Sequence, residues 1–295
     1  MKLQNIIKFI KFNVTLNTVE KKYIKKNQSK WINNNEKKES IILVDLFSWY
    51  PYIHFWSYLA NIISKKKKSQ IKYFYFDLNY QRKFKSRIYI LKLIKIFKSF
   101  NCTEGISDYS FTTTNKEIQR YRNKFFQLKK NKTNLINFKR KNIQIGDLIY
   151  DTYLLLFKKP TVNFDDNRLL ELFIKGNKLF DECYEYIIKN KVECLIPSHV
   201  CYSSYGIISR IALNKNIPVF KIKSENWGKA LFRLIKIDKN SKVDEHPFYN
   251  YKKIFSKFSK LDKIKYREKG KKLIEQRLSG KKDKNLPYLK VSSYN

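Results

Sequence analysis

The chain has 295 residues, of which 43% are hydrophobic and 16% aromatic, which allows a packed core and excludes general disorder. With only seven glycines and six prolines, fibrous and low-complexity classes are also excluded. The formal net charge of +38 indicates an anionic partner or, since the lysines are spread over the whole chain beside abundant Asn, Ile, Phe and Tyr, an AT-rich coding composition with solvated surface lysines.

Residues 1–38 are polar and basic, and we predict that they form a flexible leader. The opening segment MKLQNIIKFIKFNVTLN is interrupted by Lys8 and Lys11, which makes it a poor signal peptide. Its IIKFIKF stretch fits either a basic amphipathic segment at a membrane surface or a short helix packed on the domain. Because no apolar run reaches the roughly 18 residues that a span requires, we expect no transmembrane helix.

The next segments alternate between strand and helix patterns. The apolar run at 41–44 predicts a buried strand, and the apolar spacing in YPYIHFWSYLANIISKKKK predicts a helix that ends in lysines. The segment IKYFYFD predicts a second strand, and QRKFKSRIYILKLIKIFKSF predicts a second helix. This order is typical of a parallel α/β sheet with helices on both faces.

The region 101–143 gives weaker signals: NKEIQRYRNKFFQLKKNK is helical and very basic, and NLINFKRKNIQI contains a short strand. After it, GDLIYDTYLLLF and DDNRLLELFIKGNKLFDECYEYIIKNK predict helices. The segments VECLIP, SSYGIISRIALNKN and IPVFKIK predict a βαβ unit with a right-handed crossover. A strand at LFRLIKID and surface helices within 248–279 complete the prediction. We therefore expect one Rossmann-like domain at 39–280 and a tail at 281–295.

Ligands of open parallel sheets bind outside the carboxyl ends of the strands. Polar residues that follow a predicted strand are therefore candidate site residues, even where no known motif is present. Asp77 follows the second strand. The residues that we predict to bind substrate follow the first strand and the two strands of the βαβ unit: Asp45, Ser48, Ser198, Tyr205 and Glu225.

Three residues are candidates for a catalytic base. His199 lies between a strand end and a helix start, where an imidazole can accept a proton, bind an anion or simply order the turn through the backbone. Asp147 and Asp151 fall one turn apart on one helix face, although like charges at that spacing repel by roughly 0.2–0.5 kcal/mol. Asp147 can cap the helix, and Asp151 can pair with a lysine, so structural roles stay open for both.

Several site classes find no support. The four cysteines, Cys102, Cys183, Cys194 and Cys201, form no C-x-x-C pair, so we expect no metal site and reduced thiols. The chain contains no G-x-G-x-x-G, Walker, H-E-x-x-H or G-x-S-x-G motif.

Three segments together resemble a known family: ILVDLFSWYPY, IQIGDLIYDTYLLLF and LIPSHVCYSSYGIISRIALNKNIPVFKI. They are similar to the N-terminal half of bacterial capsule and surface-polysaccharide biosynthesis proteins, which are glycosyltransferase-like and of the GT-B type. The resemblance covers residues 40–280. It implies two Rossmann-like domains that face a cleft, the first for the acceptor and the second for a nucleotide sugar, commonly without a metal. Because the chain ends where the second domain would begin, we expect either a fragment or a protein whose donor domain is encoded separately.

From these observations we expect a glycosyltransferase-like transferase that moves a sugar from a nucleotide sugar to a glycan or lipid-linked acceptor. It would need no cofactor besides that co-substrate, which a second domain would mainly bind. We expect a cytoplasmic protein that is peripheral on the inner face of the plasma membrane, where lysines contact anionic lipids. The alternative is a non-catalytic basic protein that binds nucleic acid or an anionic membrane, with nucleic acid the less expected partner.

Overall fold

The computed structural model describes residues 14–31, 39–77, 83–226, 231–237 and 255–279. The chain divides into two compact units. The first comprises Met1–Ile222 with Leu234–Lys239, and the second comprises Lys223–Arg233 with Asn240–Asn295. The predicted domain boundaries at 38 and 280 lie outside the described residues and stay predictions.

The first unit is built on a curled sheet. The strands in chain order are β1 (Ser40–Asp45), β2 (Ser69–Tyr75), β3 (Cys102–Ser107), β4 (Lys139–Arg140), β5 (Ile143–Gln144), β6 (Val192–Ile196), β7 (Val219–Asn226) and β8 (Leu231–Ile237). Six of them form one sheet in the order β3-β2-β1-β6-β7-β8. Strands β1 to β3, β6 and β7 pair in parallel, whereas β4 and β5 form a small antiparallel hairpin. This confirms the predicted α/β fold with a Rossmann-like sheet.

The centre of the sheet is β1, and every residue of Ser40–Asp45 is buried. A strand covered on both faces needs apolar side chains in both directions, which is why the run at 41–44 does not alternate. Its register aligns Asp45 with Phe74 of β2 and Val44 with Ile196 of β6. The carboxyl ends of three neighbouring strands therefore lie side by side.

Helices flank the sheet. The helices of the first unit are α1 (Thr18–Lys30), α2 (Tyr50–Lys67), α3 (Lys83–Lys98), α4 (Asn115–Phe126), α5 (Lys132–Ile136), α6 (Gly146–Phe157), α7 (Asn167–Lys189) and α8 (Ile207–Asn214). The second unit contains α9 (Lys260–Leu278). The longest, α7, starts behind Asp166, whose side chain accepts a hydrogen bond from the Arg168 N–H at 3.0 Å. It buries an apolar stripe that includes Leu169, Phe173 and Phe180. The predicted helices at 50–67, 83–98, 146–157 and 167–189 are thus confirmed.

The prediction of a flexible leader at 1–38 is wrong for Thr18–Lys30, because these residues form α1. The Tyr23 hydroxyl donates to Ser57 Oγ at 2.9 Å, and the Asn27 amide donates to Ser99 Oγ at 3.0 Å. The helix therefore packs on α2 and on the end of α3. Its buried side chains are mostly polar, so it has no apolar stripe that would reveal it.

Region 101–143 also differs from its prediction. Strand β3 was not predicted, because only Cys102, Ile106 and Ser107 of its six residues are buried. The segment at 134–145 contains the end of α5 and the β4–β5 hairpin rather than one strand. Lys141 and Asn142 form the hairpin turn with left-handed φ of 45° and 63°.

The second unit contributes α9, whose side chains are mostly exposed. This agrees with the surface helices predicted within 248–279.

Candidate functional site

The site begins where β1 and β6 end together. Because these parallel strands align Val44 with Ile196, Asp45 comes beside the residues that follow β6. Asp45 Oδ2 accepts a hydrogen bond from the Ser198 N–H at 3.1 Å and a second from the Ser198 hydroxyl. Both residues are buried, with exposed fractions of 3% and 1%. The predicted convergence of Asp45 and Ser198, which are 153 positions apart, is therefore observed.

His199 extends this pair toward solvent. Its Nδ1 lies 2.9 Å from Ser198 Oγ, and the ring is half-buried. The ring centroids of Phe47 and Tyr205 lie 5.7 and 5.4 Å from that of His199. Asp45, Ser198, His199 and Tyr205, four of the residues nominated from the sequence, thus form one cluster at the carboxyl edge of the sheet.

The segment after His199 has an unusual backbone. Tyr202 has a left-handed φ of 59°, and Tyr202–Gly206 form a single π-helical turn. Thr152 of α6 holds this turn, since its Oγ1 accepts from the Ser203 N–H at 2.8 Å. Non-glycine residues with left-handed φ and π turns are costly and concentrate at functional sites. The strain here lies within three residues of His199.

A close approach of α6 also shapes this turn. A Cβ on Gly206 would lie 2.5 Å from Leu148 Cδ2 and 3.0 Å from the Val200 carbonyl oxygen. Only glycine lets the turn come so close to α6.

Burial sets the protonation behaviour of the cluster. Desolvation raises the pKa of Asp45 to about 7, although its hydrogen bonds from Ser198 act in the opposite direction. Burial, assisted by the positive charge of Lys221, lowers the pKa of His199 below its ordinary value. Burial and the nearby Asp45 carboxylate raise the pKa of the Tyr205 hydroxyl. Burial therefore favours the uncharged imidazole at neutral pH, and it moves the titration of the Asp45 carboxyl to near neutrality.

The hydrogen-bond partners determine which nitrogen of His199 carries the proton. When Asp45 is ionised it only accepts, so the Ser198 hydroxyl donates to it and Ser198 Oγ accepts from Nδ1–H. Nε2 then carries the lone pair and can take a proton from a bound hydroxyl. When Asp45 is protonated the chain can reverse, which places the proton on Nε2 and removes the basic atom.

The two helix carboxylates have separate surroundings. Both oxygens of Asp147 accept hydrogen bonds of 2.6 Å from the Arg210 guanidinium of α8. This bidentate ion pair gives Asp147 a structural role between α6 and α8. Asp151 is exposed and acts electrostatically on Cys201 and Tyr202, where its charge favours the protonated forms. Neither carboxylate makes a hydrogen bond with His199 among the described contacts.

Two nominated residues remain, Ser48 and Glu225. Ser48 is half-buried in the loop after β1. Glu225 falls within β7, but its side chain lies outside the described residues.

Two residues of the edge were not predicted as site residues. The positive charge of Lys221, the third residue of β7, acts to lower the pKa of both His199 and Cys201. No sequence pattern marks a residue at this position of a strand as part of a site. Asp108 follows the unpredicted β3 and accepts from the Asp77 N–H at 2.7 Å. Burial and the charge of Asp77 raise the pKa of Asp108 to about 7. If β3 had been predicted, Asp108 would have been a candidate site residue, because it directly follows the carboxyl end of that strand.

Among the described residues, no three or more His, Cys, Asp or Glu side chains are grouped so that they can hold a metal ion. Within the same part of the chain, no helix combines the length and the apolar character that crossing a membrane requires.

Comparison with known proteins identifies no family for the chain. No family model matches, and no solved structure matches. The chain is 29% identical over 218 residues to the DNA-directed RNA polymerase subunit beta'' of Marchantia polymorpha. That match covers 69% of this chain and only 14% of the length of the polymerase subunit.

Proposed function

We propose that the chain is a glycosyltransferase-like protein of capsule or surface polysaccharide biosynthesis. It transfers a sugar from a nucleotide sugar to a hydroxyl of a glycan or lipid-linked acceptor. The observation that carries this proposal is the hydrogen-bonded chain from Asp45 through Ser198 to His199 at the carboxyl edge of a Rossmann-like sheet. Ligands of such sheets bind outside this edge, and a transferase that uses a hydroxyl acceptor needs a base there.

In this proposal His199 is the base. Its lowered pKa keeps the imidazole neutral, and the hydrogen bond from Nδ1–H to Ser198 leaves the lone pair on Nε2. The acceptor oxygen forms a bond to the anomeric carbon while its proton moves to Nε2. The bond between the anomeric carbon and the phosphate oxygen breaks, and the nucleotide leaves with that electron pair. General-base assistance of this kind contributes roughly 10²–10⁴-fold in rate.

Charged neighbours support the same assignment of roles. The ammonium of Lys221 is close enough to disfavour a positive imidazole, and it would attract the phosphate of the departing nucleotide. Asp147 is a poor base because Arg210 occupies both of its oxygens. Asp151 is the second candidate for the base, since it is exposed beside the strained turn.

The proposed partners follow from the same reaction. A second domain would bind most of the nucleotide sugar, and an anionic membrane would present lipid-linked acceptors. No metal or other cofactor is required by the proposed steps.

A matched pair of histidine variants tests the proposal. The full chain is incubated with a panel of uridine-, guanosine- and cytidine-linked sugars and a membrane lipid extract as the source of acceptors, and released nucleotide is measured. His199→Gln should reduce release by about 100-fold or more. His54→Gln, which alters an exposed histidine on α2, should change it less than about twofold. Equal rates for both variants would reject His199 as the base. No release by the wild-type chain with any sugar, even at millimolar concentrations where weak donor binding by this chain alone is sufficient, would reject the proposal.

The second candidate function is nucleic-acid binding without catalysis. It is favoured by the net charge of +38 and by the partial likeness to an RNA polymerase subunit. Binding of single-stranded RNA and duplex DNA at low and moderate salt tests it. Tight binding whose constant falls about 10³-fold or more between 50 and 200 mM salt, with no nucleotide release, would favour this function over sugar transfer.

A further inference from the structure

The amino-terminal edge of the sheet carries a dense group of exposed lysines, on the side opposite to the candidate site. Because the strands are parallel, the helices that directly precede β2, β3, β6 and β7 end at this edge, and these are α2, α3, α7 and α8. The exposed lysines of this edge, which we call the lysine edge, are Lys65, Lys66, Lys67, Lys68, Lys98, Lys189, Lys191 and Lys215. Each precedes a strand of the sheet by at most four residues.

Contacts place members of the lysine edge beside α7 and beside the starts of the strands. Lys215 Nζ lies 4.9 Å from the ring centroid of Tyr184, and Lys141 Nζ of the β4–β5 turn lies 3.8 Å from the same centroid. At the start of the sheet, the Ile41 N–H donates to the Lys191 carbonyl at 2.8 Å. Lys67 is near enough to β6 to lower the pKa of Cys194 against the larger effect of burial.

Few acids oppose these lysines in the described part of this edge. Glu39 and Glu193 lie near the starts of β1 and β6, and Glu185 pairs with Lys189 at 2.9 Å. A favourable interaction with the helix dipole explains a lysine or two in a last turn. It does not explain a run of four, Lys65 to Lys68, or Lys191, which lies beyond the end of α7.

The apolar residues at the lysine edge indicate the kind of partner. Ile62 of α2 is 60% exposed and Ile188 of α7 is 57% exposed, and each lies within four residues of lysines in the last turns. A lipid surface takes up both groups, since lysines meet anionic headgroups and isoleucines enter the interface. Phosphates of nucleic acid would gain nothing from the isoleucines. Among the described residues, no arginine lies in the last turns of the four helices that end at this edge or in their connections to the next strand, although arginine is preferred where phosphates are bound bidentately.

We infer that the lysine edge docks this protein on an anionic membrane surface, with the Asp45–Ser198–His199 cluster facing away from the bilayer. At about 3.3 Å per residue, the six-residue β1 separates the two edges by about 20 Å. The site thus meets the part of a glycan that extends from the membrane rather than the lipid itself. The inference rests on the membrane association in the proposed function and adds the surface and the orientation.

Vesicle binding by two triple variants of equal charge change tests the inference. The lysine-edge variant is Lys66→Gln, Lys98→Gln and Lys215→Gln. The control is Lys21→Gln, Lys22→Gln and Lys25→Gln on α1. Lys21 and Lys22 directly follow Glu20. Glu20 accepts a hydrogen bond from Tyr50, which lies at the end of α2 opposite to the lysine edge. Binding of the full chain is measured with phosphatidylcholine vesicles, with and without phosphatidylserine.

We expect wild-type binding only to vesicles that contain phosphatidylserine. The lysine-edge variant should bind about 100-fold more weakly, since each of the three lysines near an anionic surface contributes about 1 kcal/mol, or about fivefold. The control should lose less than about threefold. Equal losses in both variants would show that net charge alone acts, and no vesicle binding by the wild type would overturn the inference. Binding of polyuridylate is measured with the same proteins. If the lysine-edge variant loses more affinity for polyuridylate than for vesicles, the inference is overturned in favour of nucleic acid.

Fluorescent labels test the orientation. Cys201 is exposed beside the site, whereas Cys102, Cys183 and Cys194 are buried, so a thiol-reactive dye labels it selectively. The emission of a dye at Cys201 should be unchanged when vesicles are added. The emission of a dye at position 66, introduced by Lys66→Cys in a Cys201→Ser background, should shift. The reverse pattern would contradict the orientation. Because these assays contain no nucleotide sugar, their outcome is independent of the nucleotide-release assay.

Discussion

Three side chains at the carboxyl edge behave as one unit because each fixes the next. Asp45 is buried, so it is costly to ionise, and the hydrogen bonds from Ser198 lower its pKa and so reduce this cost. Ser198 has a single hydroxyl proton, and giving it to Asp45 leaves Oγ as an acceptor for His199 Nδ1. The protonation state of Asp45 is thereby transmitted to the nitrogen of His199 that faces the other way.

The tautomer of His199 is a direct prediction of this chain. In protein labelled with ¹⁵N-histidine at pH 8, we expect His199 to carry its proton on Nδ1, because Ser198 Oγ needs a donor when Asp45 is ionised. The Ser198→Ala variant removes that acceptor, so the Nε2–H tautomer should dominate. With only three histidines in the chain, the spectra can be assigned by single substitutions. His54 is the internal control and should be unchanged, and an Nε2–H tautomer in the wild type would contradict the chain.

At the scale of elements, the site depends on how closely α6 approaches its neighbours. The Gly146 N–H donates to the Phe138 carbonyl at 3.1 Å, and a Cβ at this position would lie 1.7 Å from the Leu135 carbonyl oxygen. The start of α6 is therefore packed against the backbone of α5 and the following turn. Its middle holds the π turn through Thr152.

A pair of glycine variants tests this packing. Gly146→Ala should lower the free energy of unfolding by about 3 kcal/mol or more, because backbone rather than a flexible side chain must move. Gly270→Ala, in α9, meets nothing within 4 Å and should gain up to about 1 kcal/mol from helix propensity. Urea unfolding, followed by circular dichroism, measures both changes. A loss below about 0.5 kcal/mol for Gly146→Ala would mean that α6 is not tightly seated.

The elements show which sequence signals are sufficient. Strand β1 and helix α7 were predictable because burial forces apolar residues into a run or a stripe. Helix α1 was not, since its contacts with α2 and α3 are hydrogen bonds from polar side chains. Strand β3 lies at the edge of the sheet and buries only half of its residues, which leaves no apolar run.

The site was predictable only as far as topology determines it. The strand-end rule brings Asp45 to Ser198 without any motif, because parallel strands end together. The partner of Asp147 depends on how α6 lies against α8, and no local pattern encodes its ion pair with Arg210. The role of Lys221 depends in the same way on the spacing between β7 and the turn after β6.

At the scale of the whole molecule, the parallel sheet separates opposite charges. Carboxylates that end β1, β2 and β3 gather at one edge, and lysines that end the helices gather at the other. One topological rule therefore produces both surfaces. Two carboxyls of the acidic edge, Asp45 and Asp108, are largely buried, and burial raises the pKa of each to about 7.

The stability of the first unit should consequently fall as pH rises from about 5 to 8. Burial raises the pKa of both Asp45 and Asp108 to about 7, so the folded state holds more protons than the unfolded state in this window. Carboxylates whose pKa is lowered, such as Glu117, lose their stabilisation only at more acidic pH. The lowered pKa values of His199 and His54 act in the opposite direction, over the pH range just below the ordinary histidine value.

The variant Asp45→Asn with Asp108→Asn removes the two groups that cause this decline while keeping an oxygen that can accept their hydrogen bonds. Relative to wild type, its free energy of unfolding should increase by at least about 2 kcal/mol between pH 5 and pH 8, since one pKa unit corresponds to about 1.4 kcal/mol. Urea titrations at both pH values measure the difference. Asp165→Asn, which removes an exposed carboxylate that pairs with Lys130 but leaves Asp45 and Asp108 in place, is the control and should retain the wild-type decline. If the double variant follows the wild-type profile, both carboxylates are ionised at little cost, and the switch that Asp45 imposes on His199 near neutral pH is absent.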